Sequence, residues 1–159
     1  MAGRFSPGFS APFLSLVSLF APFSVGGLAA QTDAAAGAPD RGQVIANYVN
    51  ERLAIWQQRL NLQDWKITVM MSHPSDLKPR TLGNIHWDSD KKSAVIRVLD
   101  ASDYKLAYHE MLDDMEFTVV HELIHLELSS LPRSEASRRD EEHAVNQIAD
   151  ALLKLDRKK

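Results

Sequence analysis

The stretch Val120-His121-Glu122-Leu123-Ile124-His125-Leu126 constrains this chain more than any other. It is an H-E-x-x-H sequence inside an apolar run that predicts a helix. Residues four apart share a helix face. His121 and His125 therefore present two imidazoles side by side, at a separation that one zinc ion bridges. Glu122 is turned by about 100° from His121. That removes it from the ligand pair and lets its carboxylate reach a water held at the metal. Phe117, Val120, Ile124 and Leu128 form one apolar stripe, and Val119, Leu123 and Leu126 make the other side apolar too. A helix apolar nearly all round is buried in the middle of its domain. Its start is expected near Asp113 or Asp114. The alternative is a buried helix whose histidines are only hydrogen-bonded.

A catalytic zinc takes three protein ligands, and the chain downstream offers Glu141-Glu142-His143. Ser129-Ser130-Leu131-Pro132 ends the motif helix, since proline cannot continue it. A last helix, from about Ser134 to Leu155, then returns the chain. Its apolar stripe is Val145, Ile148, Ala149, Leu152 and Leu153. His143 points away from that stripe toward solvent, while Glu141 and Glu142 flank it. Glu142 is the preferred third ligand, because Asn146 lies one turn on and supports the site from behind. Glu141, with only Val145 at that offset, is the alternative third ligand.

H-E-L-I-H followed by E-x-x-x-N resembles the gluzincin zinc metallopeptidases. The short spacer resembles their minimal forms, the minigluzincins, and related small metallopeptidase-like proteins of bacteria and phages. The resemblance spans roughly residues 43 to 155. It implies Zn²⁺ on His121, His125 and Glu142, with Asn146 behind them. It also implies hydrolysis of a peptide bond with Glu122 as general base, and a sheet edge lying along the cleft where a peptide substrate adds as a strand. The metzincin extension is absent. So is any evident counterpart of the extra His or Tyr with which large gluzincins hold the oxyanion.

Elsewhere the chain reads as scaffold. Asp40 and Gln43 have capping-box spacing, and Ile45, Tyr48, Val49, Leu53, Trp56 and Leu60 predict a helix over about 41–60. Trp65 to Met70, Leu82 to Trp87 and Ala94 to Leu99 predict strands, the last two as a hairpin. The class is α+β: a helix, a three-stranded mostly antiparallel sheet, the motif helix and a C-terminal helix. His86, Asp88 and Asp90 form a conceivable second metal cluster, but turn aspartates usually serve the turn. His109 has no partner at a telling spacing. Lys154, Arg157, Lys158 and Lys159 complement the dipole of the last helix.

The chain has 159 residues and no cysteine. That length allows one core, and any metal must rest on His and carboxylate. A net charge of -3 argues against nucleic acid as a partner. Residues 1–30 carry Arg4 as their only charge, an apolar run from Phe13 to Phe20, and Gly27-Leu28-Ala29 as a small-x-small cleavage site. They predict a signal peptide and export to the periplasm or medium. A misplaced start and an uncleaved anchor are the competing accounts. Residues 31–39 read as a linker and 40–159 as a single metallopeptidase-like domain, with no stable membrane span after cleavage. The expected function is zinc-dependent endopeptidase activity on a peptide or protein. A non-catalytic zinc-stapled domain and a highly selective regulatory protease remain as alternatives. Substrate and oligomeric state are not legible.

Overall fold

Asn61 stops the first helix. α1 (Arg41–Arg59) runs out at Leu60, and Asn61 takes a left-handed φ of 56°, which asparagine tolerates better than most residues. The Leu62 amide reaches the Gln57 carbonyl at 2.9 Å and the Asn61 amide reaches Gln58 at 3.2 Å. These are the two bonds of a Schellman motif. The motif buries Leu62 and Trp65 and feeds the first strand. At the other end of α1 the expected capping box does not form. Asp40 makes no side-chain cap bond, and Gln43 instead bonds Asn47 at 2.8 Å. The computed structural model describes residues 40–132 and 134–158. The expected signal peptide (1–30) and linker (31–39) lie outside the described residues.

The strands are β1 (Lys66–Ser72), β2 (Gly83–Asp88) and β3 (Ser93–Leu99), followed by α2 (Tyr108–Glu127) and α3 (Glu135–Asp156). The α+β class is as expected. The sheet order is β1-β3-β2, with β2 antiparallel and β1 parallel to β3. The sheet is thus evenly mixed rather than mostly antiparallel. The hairpin from β2 seats β3 beside β1, and strand alternation alone carries no information about which edge the third strand takes. The Asp88 side chain builds the hairpin turn, accepting from the Lys91 amide at 3.1 Å and its ammonium at 2.7 Å. Its expected role in the turn is therefore met.

β3 supplies Ala94, Ile96 and Val98 to the core, against Val49 and Leu53 of α1 and Met115, Val119 and Leu123 of α2. α2 starts at Tyr108, earlier than expected, because Met111 and Met115 extend its buried face by a turn. The Glu110 carboxylate accepts from the Ala107 amide at 3.3 Å and holds that start. α3 is capped by Ser134, whose hydroxyl accepts from the Ser137 amide at 3.1 Å. Its buried stripe is narrower than expected: Val145, Ala149 and Leu153 are buried, whereas Ile148 is exposed.

One carboxylate sits inside this packing. Glu116 is 5% exposed. It accepts from the Arg52 guanidinium, from the Trp56 indole at 2.7 Å and from the Tyr48 hydroxyl at 3.3 Å. Arg52 also reaches Asp156 at 3.2 Å, and Arg59 pairs with the same residue at 2.7 Å. The network ties α1, α2 and the end of α3 together. Among the described residues no helix is long and apolar enough to cross a membrane.

Candidate metal centre and cleft

α2 and α3 meet where their polar residues face each other. His121 and His125, one turn apart on α2, point their Nε2 atoms together at 3.1 Å. The Glu142 carboxylate on α3 stands 3.5 Å from Nε2 of His121 and 3.4 Å from Nε2 of His125. These three residues can offer ligand atoms within one metal-sized group. Bonds of about 2.0–2.1 Å in a tetrahedron put ligands about 3.3 Å apart, so the observed separations fit a small divalent ion.

The far side of each imidazole is occupied. Nδ1 of His125 lies 2.9 Å from the Glu141 carboxylate, and Nδ1 of His121 lies 3.1 Å from Oδ1 of Asn146. Both partners can accept from an Nδ1–H, and that tautomer turns the Nε2 lone pairs inward, beside a carboxylate. Electron-rich atoms converge this way where a cation resolves their repulsion. Burial, then the neighbouring His125, holds the His121 pKa below the ordinary histidine value, against weaker opposition from Glu142 and Asn146.

Glu142 thus faces both Nε2 atoms, and Asn146 stands behind His121. Glu141 lies outside that three-residue group, on the outer side of His125. Sequence reasoning gave it no partner because it compared residues along α3 only, and its partner is on α2. His143 is exposed, as expected.

No protein-family model, curated protein or solved structure matches this chain. The site is therefore read from its own geometry.

Glu122 is 7% exposed and lines a cleft of about 570 Å³ together with His121, His125 and Glu142. Burial, then the charge of Glu142, pushes its pKa up to about 7, with Lys78 pulling the other way. A cation at His121, His125 and Glu142 would favour its ionised form. Strand β2 forms the opposite wall through Gly83, Asn84, Ile85 and Trp87. β2 is an edge strand of the sheet, paired on one side with β3. Oδ1 of Asn84 is buried with no hydrogen-bond partner among the described residues. Among the described residues the cleft lining contains no tyrosine and no third histidine.

Gly83 was not singled out in the sequence, although a glycine opening a strand is a signal of close backbone approach. A Cβ there would collide with the Thr118 methyl, stand 2.7 Å from the Arg97 carbonyl and lie 3.6 Å from Oε1 of Glu122. Gly83 thus lets β2 close on α2 beside Glu122. Gly83→Ala is expected to destabilise the fold by about 1–3 kcal/mol, read as a lower urea midpoint at unchanged slope. An unchanged midpoint would show that β2 has room to spare.

His86, Asp88 and Asp90 are not among the candidate metal groups of the described residues; Asp88 is engaged by Lys91. A different group gathers where the parallel strands β1 and β3 end: His73, Asp100 and Asp103. Each has a local task. Asp100 accepts from the Ser102 amide and hydroxyl at 2.9 and 2.6 Å, and Asp103 pairs with His73 at 2.8 Å. His109 lies exposed in the first turn of α2.

Proposed function

We propose that this chain is a zinc-dependent peptidase, with Zn²⁺ held by His121, His125 and Glu142. The observation that carries the reading is the convergence of two Nε2 atoms and a carboxylate beside a fourth residue, Glu122, that no ligand role requires. The resemblance of H-E-L-I-H and E-x-x-x-N to the gluzincins, carried by the same residues, agrees with it. Zinc at such a site supplies Lewis acidity to a water and to a carbonyl oxygen.

The residues of the chain then have distinct tasks. Glu141 and Asn146 hold the imidazoles in the tautomer that leaves Nε2 free. The edge of β2 holds an extended peptide by main-chain hydrogen bonds. The Glu122 carboxylate accepts a proton from the attacking water as the water oxygen bonds to the carbonyl carbon. It returns that proton to the amine nitrogen as the C–N bond breaks.

The test is metal analysis of the purified protein, with cleavage of a peptide library measured with and without chelator. About one zinc per chain and chelator-sensitive cleavage are expected. Zinc without cleavage would leave a metal that only staples α2 to α3. His121→Ala and His125→Ala are each expected to abolish stoichiometric zinc. Glu142→Gln should weaken zinc more than Glu141→Gln, which is expected to lose about tenfold to a hundredfold, the usual effect of an outer support. Isothermal titration orders the four variants. Glu141→Gln weaker than Glu142→Gln would exchange the roles of the two glutamates.

A further inference from the structure

The loop before β2 contains a turn built at a cost. The Thr81 amide bonds the Lys78 carbonyl at 3.1 Å, and the Thr81 hydroxyl bonds the same carbonyl at 2.8 Å. Pro79 is the second residue of this turn, and Arg80, the third, has a φ of 65°. Proline second and positive φ third mark a type II turn, whose third position favours glycine. An arginine there keeps a strained backbone, and such strain clusters at ligand-binding sites. Both Lys78 and Arg80 line the same cleft as the candidate metal centre.

The charges around them are unevenly matched. Asp114 accepts from the Tyr104 hydroxyl at 2.9 Å, Glu141 is on His125, and Glu142 faces both histidines. Glu122 is buried. Lys78 and Arg80 are exposed and make no ion pair among the described residues. The one exposed carboxylate of the described cleft lining, Glu142, faces the histidines, and on the loop side of the cleft the exposed charges are those of Lys78 and Arg80.

We propose that Arg80, aided by Lys78, forms a subsite for a carboxylate of the bound peptide, from an acidic side chain or from the peptide's C-terminus. This rests on the peptidase reading for its occupant. A guanidinium binds a carboxylate through two parallel N–H bonds, and the rigid Pro79 turn fixes where that fork stands. The specificity of the cleft is then for acidic peptides or for chain ends.

The probes are fluorescein-labelled octapeptides of Ala, Leu, Phe and Gly. The parent is C-terminally amidated. One series carries a single Glu at each position in turn, and one peptide has a free C-terminus. Binding is measured by anisotropy on the zinc-loaded Glu122→Gln protein, cleavage on the wild type. One Glu position, or the free C-terminus, is expected to bind about tenfold more tightly than the parent, with the preference shrinking as salt is raised. Which peptide gains tells the two carboxylate sources apart.

Arg80→Gly removes the guanidinium and suits the turn. It is expected to keep or raise Tm and parent affinity while abolishing the preference, so misfolding cannot imitate the result. Lys78→Met should reduce the preference partly. Equal binding of all peptides, no measurable binding of any acidic one, or a preference that survives Arg80→Gly would overturn the subsite. Cleavage without carboxylate preference overturns the subsite and leaves the peptidase reading standing. A preference in binding without chelator-sensitive cleavage supports the subsite and removes the peptidase reading.

Discussion

Glu122→Gln is expected to keep zinc and fold while losing hydrolysis by a factor of about 10² to 10⁴, the usual contribution of a positioned general base. The amide has nearly the shape of the carboxylate, and the residue is buried beside Gly83 and Thr118, so the packing is retained. What the amide cannot do is accept a proton from water at neutral pH. The metal set does not include it: His121, His125 and Glu142 close the candidate site without Glu122. Metal content, circular dichroism and turnover, measured on one preparation, separate these properties. A variant that retained cleavage would remove Glu122 from the chemistry. A variant that lost zinc with activity would make it a ligand or a support.

Glu116→Ala is expected to cost about 3 kcal/mol of stability, the lower end of what breaking a buried charged pair costs. The lower end applies because the Arg52 side chain keeps 20% of its surface in water and still reaches Asp156. Most of the loss falls on Trp56. Its indole N–H donates to Glu116 at 2.7 Å from a residue only 2% exposed, and no water replaces that acceptor cheaply. Glu116→Gln keeps an acceptor and is expected to lose less. Urea unfolding of the three proteins at equal zinc loading gives the order. Equal midpoints for wild type and Glu116→Ala would mean that the network carries no net stability.

The local parts of the site were legible because their geometry is set within one helix. Two histidines one turn apart share a face whatever the rest of the fold does. Asn146 supporting from one turn beyond Glu142 follows from the same rule. Glu141 was not assigned its place because its partner depends on how α3 is rotated against α2, which no spacing along α3 encodes. The parallel pairing of β1 with β3 escaped for a similar reason: alternation tells which face of a strand is buried, not which neighbour it takes. The early start of α2 at Tyr108 escaped because Met111 and Met115 were not counted into the buried stripe. Arg80 and Gly83 have backbone roles. One is a residue other than glycine where glycine is favoured, the other a glycine where a side chain is excluded, and only coordinates distinguish them from ordinary loop and strand residues.

The narrow stripe of α3 has a consequence for how the protein breathes. A helix held by Val145, Ala149 and Leu153 buries little apolar surface for its length. It has less to lose on detaching than α2, which is buried on several sides. Its remaining hold is polar: Asp156 pairs with Arg52 and Arg59, and Arg157 with Asp113. Glu142 rides on this helix while both histidines ride on α2. An ion joining them binds only the docked form, and its affinity is added to the free energy of detachment. An ion held by both helices would therefore oppose the undocking of α3.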